Sequence, residues 1–333
     1  MLCKWMGVLC AAGLISTCSS QTPKFSIEIV PRPRTTTIWS AIELRDNGDF
    51  VGYTSNTGPA IVQNRGTTYR MLAGQAYNDA GDSGGDIQSF APSYVERITG
   101  ERTDMIPANG FNRSAVHALN NNGIAAGMSS PLIDSYGLIT TWNSRTGQVL
   151  QTFPEFGFSE VFAMNDRGDF VGRPESGNRS FTYVGGTRRV FESMGLKDIN
   201  GLGETVGNDT AGPIWMDASG NRSYLPILYG ISFPERINDS RTIIGQSGEF
   251  GSNGARKPTL WTGGQVYDFN SLCNLSAGDS IKSLIDINNR GQVIGYGKFN
   301  GVEGTFIATP VPEPATLAAL SLGAAVLLRR RRK

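Results

Sequence analysis

The residues best placed by type to do chemistry form the run Gly81-Asp82-Ser83-Gly84-Gly85. A serine in such a run becomes a nucleophile only when a histidine base lies within hydrogen-bond reach and an acid orients that base. The chain has one histidine, His117, 34 residues after Ser83. Asn78, Asp79, Asp82 and Asp86 make an acidic, glycine-rich loop of the oxygen donors that Ca²⁺ prefers, without the twelfth-position glutamate of an EF-hand. Asp46, Asp49, Asp166 and Asp169 recur in matching places. A calcium-decorated rim is one reading of these acids, and hydrated turn carboxylates the other. Zinc lacks the nitrogen and sulfur donors it would need. Cys273 reads as a small, partly buried side chain. Arg167-Gly168-Asp169 spells an adhesion tripeptide but sits inside a repeated turn. No phosphate loop or dinucleotide fingerprint is present.

What positions these residues is a repeat, apolar–Asn–x–x–Gly–x–x–x–Gly. It reads Ile287-Asn288-Asn289-Arg290-Gly291-Gln292-Val293-Ile294-Gly295 near the end and Met164-Asn165-Asp166-Arg167-Gly168-Asp169-Phe170-Val171-Gly172 in the middle. Asn120 with Gly123 and Gly127, and Asn200 with Gly203 and Gly207, fit the frame. Asn238 with Gly245 fits with Arg241 in the first glycine place, Gly48 and Gly52 with Arg45 in the asparagine place, and Asn78 with Gly81 and Gly85 is a weaker copy. The seven copies lie 33 to 50 residues apart.

The frame is turn chemistry. Glycine accepts positive φ, and asparagine bonds its own turn through its side chain. The flanks are short β-type runs, and most copies are followed by an aromatic residue, a glycine turn and another apolar run, as in residues 142–150 and 261–269. Each repeat therefore reads as four short strands. The fold expected is all-β and β-propeller-like, with about seven irregular repeats of roughly 40 residues, an open β-solenoid being the alternative. The recurrent Trp and Tyr would fill the wedge between neighbouring blades. Residues 25–29 alternate apolar and polar and belong to no complete repeat, whereas the last repeat lacks a fourth strand. The N-terminal segment is expected to complete the last blade and close the ring. Gly48, Gly123, Gly168, Gly203 and Gly291 are expected at turns with φ > 0, and Arg241 in a locally different turn.

The two ends read differently. Lys4, an 11-residue apolar core over residues 5–15 and a small-residue stretch to Ser20 have the form of a signal peptide. Cys18 follows Leu14-Ile15-Ser16-Thr17, close to a lipoprotein box except for the threonine, so cleavage near Ser20 is expected. At the other end Pro312-Glu313-Pro314 precedes an uncharged run, residues 315–328, and then Arg329, Arg330, Arg331, Arg332 and Lys333. Cations after an apolar run hold a transmembrane helix with its end in the cytoplasm. The organisation expected is 1–20 signal peptide, 21–309 repeat domain and 310–333 sorting and membrane segment. The chain has 30 Lys and Arg against 29 Asp and Glu. Setting aside Lys4, the five terminal cations and Glu313 leaves a body near −4, which argues against a nucleic-acid partner.

The terminal residues resemble the PEP-CTERM sorting signal of Gram-negative bacteria. That resemblance implies processing by an exosortase, with Pro312, Glu313 and Pro314 as recognition residues. The repeat resembles the HAF family of extracellular repeats. The Gly81–Gly85 string is similar to that around the nucleophile of chymotrypsin-like proteases, but His117 follows the serine instead of preceding it, and Asp86 stands where that family has proline. The function expected is that of a non-enzymatic protein exported to the cell surface or extracellular matrix, in contact with envelope or exopolysaccharide. A propeller-type glycan hydrolase or lyase and a protein-interaction scaffold are the alternatives. Acids pointing into a central channel would favour the enzyme; acids confined to rim turns, such as Asp49 and Asp169, would favour the binder.

Overall fold

The computed structural model describes residues 22–30, 40–54, 58–63, 68–71, 76–85, 92–131, 137–249 and 256–312. These residues form seven four-stranded antiparallel blades around a central channel. The blades span residues 40–71, 76–104, 113–152, 158–192, 194–224 and 231–268, and the seventh takes 280–310 together with 25–29. Blades three and four share one continuous sheet, because Gly137 and Leu138 of blade three also pair with Ser159 and Phe158 of blade four.

The ring closes as the sequence leads one to expect. Phe25–Ile29 runs antiparallel to Val302–Pro310, pairing Phe25 with Pro310 and Ile29 with Phe306, and is the outer strand of blade seven. Phe25 anchors it by packing on Phe269, ring centroids 4.9 Å apart. Val30, Ala41, Leu44, Phe50, Ile294 and Ile307 then bury the seam between blades seven and one. The other apolar clusters lie at the remaining interfaces between neighbouring blades. Trp142 and Trp261 fill two of these wedges, each donating its indole N–H to a backbone carbonyl, Ile106 O at 2.6 Å and Pro226 O at 2.7 Å.

The repeated frame is the hairpin between the first two strands of each blade. Gly48, Gly123, Gly168, Gly203 and Gly291 have φ of +93°, +79°, +80°, +80° and +73°, as expected. Arg241 departs from expectation: it takes the same left-handed conformation, φ +59°, and donates its N–H to Asn238 O at 3.0 Å as the glycines do to theirs. A side chain there costs about 1 kcal/mol or more. Arg241 offsets the cost by placing Nε 2.8 Å and Nη2 2.7 Å from Glu204 Oε1 and its guanidinium 5.4 Å from the Trp215 ring.

The second glycine of the frame has a different cause. The inner strand of nearly every blade carries a bulge three residues before the frame asparagine, for instance at His117, Phe162 and Lys197. The bulge drives a backbone carbonyl onto the neighbouring strand. A Cβ on Gly127, Gly172, Gly207, Gly245 or Gly295 would overlap Ala115 O, Glu160 O, Gly195 O, Phe233 O or Ser283 O respectively. These glycines lie within strands, where close approach of the backbone and not turn conformation requires them.

Candidate functional site

The inner strands end at one mouth of the channel, and there the frame asparagines form a belt. Each turns its Oδ1 inward: Asn165 Oδ1 accepts from Arg167 N and Asp169 N, and Asn288 Oδ1 from Arg290 N and Gln292 N. Each sends its Nδ2 to the next blade. Asn78 donates to Asn120 O, Asn120 to Asn165 O, Asn165 to Asn200 O, Asn200 to Asn238 O, Asn238 to Asn288 O and Asn288 to Arg45 O, at 2.9–3.2 Å. The asparagine amide supplies both an acceptor for its own turn and, on a separate atom, a donor for its neighbour. The frame asparagine is thus a clamp between blades as well as a turn residue.

Above this belt, the residue after each frame position faces the mouth. Asp46, Asp79, Asp166 and Asp239 form a crown completed by Asn121 and Asn289. Asp79 Oδ1 accepts from Asp46 N at 2.9 Å, Asp166 Oδ1 from Asn121 N at 2.8 Å and Asp239 Oδ1 from Gly201 N at 2.6 Å. Asn121 Nδ2 links Asp79 and Asp166, 3.0 Å from each.

Below the belt, the position two residues before the frame asparagine sets the chemistry of a cavity of about 610 Å³. Blades five, six, seven and one place Asp198, Arg236, Asp286 and Glu43 there, whereas blades two, three and four place Ala76, Ala118 and Ala163. The channel therefore has a charged arc facing an alanine arc, flanked by His117, Phe162 and Lys197. Asp198 Oδ2 accepts from Ile237 N at 2.9 Å and Asp286 Oδ2 from Leu44 N at 2.7 Å, each reaching the next blade. Arg236 Nε lies 3.7 Å from Asp286 Oδ1.

Burial within the ring pushes the Glu43 carboxyl up to about 8, with the charges of Asp286 and Asp79 adding to the effect. Burial likewise raises Asp286 to about 7 and raises Asp198, against the opposing pull of Arg236. Burial acts to lower Arg236, but Asp198 and Asp286 outweigh it and hold the guanidinium charged. A carboxyl whose pKa is higher folded than unfolded contributes most below its unfolded value, and that contribution is lost as pH rises through the folded one. Glu43→Gln is therefore expected to gain on wild type as pH rises from 5 to 9, by on the order of 2 kcal/mol after allowance for water in the channel. Thermal melts of both proteins across that range measure it, and a difference that does not change with pH contradicts the assignment.

The other sequence candidates divide between this site and places away from it. Ser83 is buried in the second strand of blade two, paired with Tyr77 and Glu96, whereas His117 borders the channel. Asp169 of the adhesion-like tripeptide is tied by Arg167 Nη2 at 2.6 Å and by Gly185 N at 2.8 Å. Of the calcium candidates, Asp79 belongs to the crown, Asp82 accepts from Asn78 and from Ile98 N, and Asp86 lies outside the described residues. Among the described residues no three acidic, histidine or cysteine side chains converge on a metal-sized site. Burial pushes the Cys273 thiol up to about 12, which leaves it without thiolate reactivity. Glu43, Asp198, Arg236 and Asp286 escaped the sequence reading, which weighed the rim-turn acids instead. Their signal was one column of the aligned repeats, charged in four copies and alanine in three.

Beyond the ring, the last strand ends at Pro310, Val311 N donates to Lys24 O at 2.9 Å, and Pro312 is exposed. Glu313, Pro314 and the terminal cations 329–333 lie outside the described residues, as does the expected membrane helix.

Residues 310–333 match the PEP-CTERM protein-sorting motif. The motif implies an exported protein whose membrane-anchored precursor is an exosortase substrate. No curated protein matches the sequence. Three similar solved structures are the β-propeller domain of the trilobed protease from Pyrococcus furiosus, virginiamycin B lyase from Staphylococcus aureus and YCF48 from Cyanidioschyzon merolae. The first has a TM-score of 0.53 at 10% identity and covers 84% of this chain and 98% of that one. The lyase has 0.51 at 11%, covering 87% and 100%, and YCF48 has 0.50 at 11%, covering 85% and 98%. At such identities the likeness speaks of the propeller fold alone.

Proposed function

We propose that this PEP-CTERM protein is a ligand-binding propeller, displayed at the cell surface or in the extracellular matrix after exosortase processing. It acts without catalysis in contacts with envelope components or exopolysaccharide, and its frames are HAF-type extracellular repeats. The sorting motif supports the location. The observation that carries the binding reading is the channel, closed by the N-terminal strand and asymmetric in charge, which gives a ligand a preferred wall to face. A second reading, a glycan hydrolase or lyase, is favoured by Glu43 and Asp286, acids that point into the channel and are readily protonated near neutral pH.

Two measurements test this. In a host with an exosortase, mature wild type is expected to lack the residues after the motif, and replacement of Pro312, Glu313 and Pro314 by alanine is expected to leave an unprocessed membrane form. Mass spectrometry that finds Lys333 on the mature wild-type protein sinks the sorting reading. A glycan-array screen of the full chain beside a polysaccharide-depolymerisation assay separates binder from enzyme, and turnover lost in Glu43→Gln decides for the enzyme.

A further inference from the structure

The charge of the channel is unevenly compensated. Among the described residues, none of the crown carboxylates Asp46, Asp79, Asp166 and Asp239 forms an ion pair with Lys or Arg; the hydrogen bonds they accept come from neutral backbone N–H groups and asparagine amides. The Glu43 carboxyl, deeper on the same axis, accepts no hydrogen bond from a described residue and feels the charges of Asp286 and Asp79 more strongly than those of Arg236 and Arg45. The cations that line the cavity, Lys197 and Arg236, stand on blades five and six, and Arg236 is already drawn to Asp198 and Asp286. On the opposite wall, beneath Asp79, Asn121 and Asp166, the position that carries the charges is alanine, with His117 and Phe162 beside it.

We propose that this channel takes a ligand bearing primary ammonium groups on a slender chain, with one ammonium seated between Asp79 and Asp166 beside Asn121 and the remainder reaching down the alanine arc to Glu43. The inference rests on the channel being the ligand site. A divalent metal ion needs oxygens converging at 2.3–2.6 Å, and these carboxylates are instead spread around a ring, each already fixed by N–H groups. An ammonium has three donors that radiate to separate acceptors at ordinary hydrogen-bond lengths, which suits such a crown. A guanidinium is served best by a bidentate carboxylate with both oxygens free, whereas each oxygen of Asp79 and Asp166 already accepts one bond from within the ring and keeps a lone pair for a single further donor, as an ammonium offers. Polyamines and de-N-acetylated amino-sugar oligomers share the required chemistry.

Isothermal titration of the full chain at pH 7 with spermidine, glucosamine trimer, N-acetylglucosamine trimer and calcium chloride tests it. The two ammonium probes are expected to bind and the neutral trimer to bind at least tenfold more weakly, and the tighter of the first two names the source. Asp79→Asn with Asp166→Asn is expected to weaken the ammonium probes roughly tenfold or more with only a modest fall in melting temperature, because an asparagine Oδ1 still accepts from Asp46 N and Asn121 N and only the two exposed bonds from Asn121 Nδ2 are lost. Should that double variant fold poorly, Glu43→Gln titrated with spermidine at pH 9, where the wild-type Glu43 carboxyl is ionised, reads the same loss. Equal binding of the neutral and deacetylated trimers overturns the proposal while leaving the channel a ligand site. Calcium binding that displaces the amines, amine binding that survives in both variants, or no binding of any probe also overturns it, and the last removes the channel reading as well.

Discussion

Gly172→Ala is expected to destabilise the protein by about 3 kcal/mol or more, far beyond Gly168→Ala four residues earlier in the same frame. A Cβ on Gly172 would run into the Glu160 carbonyl oxygen and the edge of the Phe181 ring. Neither can yield, because Glu160 is part of the bulged strand paired to Gly172's own strand and Phe181 is fully buried. At Gly168 the φ of +80° is the difficulty, with only the tip of Ile124 at 3.4 Å, so alanine costs about 1 kcal/mol. Denaturant melts of the two variants measure the contrast. Equal losses would mean that the bulge does not press on the second strand.

Asn165→Asp is expected to be nearly as damaging, on the order of 3 kcal/mol at neutral pH. The substitution keeps the two acceptor bonds from Arg167 N and Asp169 N. It removes the donors to Asn200 O at 2.9 Å and Asp169 Oδ2 at 3.1 Å, and sets a buried negative charge against both oxygens. Burial and the Asp169 carboxylate would hold the new carboxyl protonated above its ordinary range, so the variant should recover stability as pH falls and lose it as pH rises. Thermal melts at pH 5 and pH 8 measure this. A variant as stable as wild type at pH 8 would show that the asparagine belt does not tie blade four to blade five.

Much of the fold was legible because a hairpin is a local object. Nine residues carry an asparagine that bonds its own turn, a glycine at positive φ and two β-type flanks, and that chemistry acts whatever surrounds it. Hence the approximate number of repeats, the left-handed glycines and the spare N-terminal strand could be read from the chain. Arg241 was misjudged for the same local reason. Intrinsic preference disfavours positive φ there, but Glu204 and Trp215, which bind the arginine from the preceding blade, are invisible from its neighbours in sequence.

The sequence by itself determined the repeat, its turns, the strand that closes the ring and the sorting motif at the end, since each is written in adjacent residues. Only the tertiary structure decided what the second frame glycine is for, what the asparagine Nδ2 holds and where the channel keeps its charge. Those features depend on atoms brought together across the ring: Asp286 reaches Leu44 N, and Asn288 reaches Arg45 O, between residues more than 240 positions apart. A carboxyl's solvation and its neighbours' charges do not exist for Glu43 until seven blades enclose it, so no local pattern could have set them.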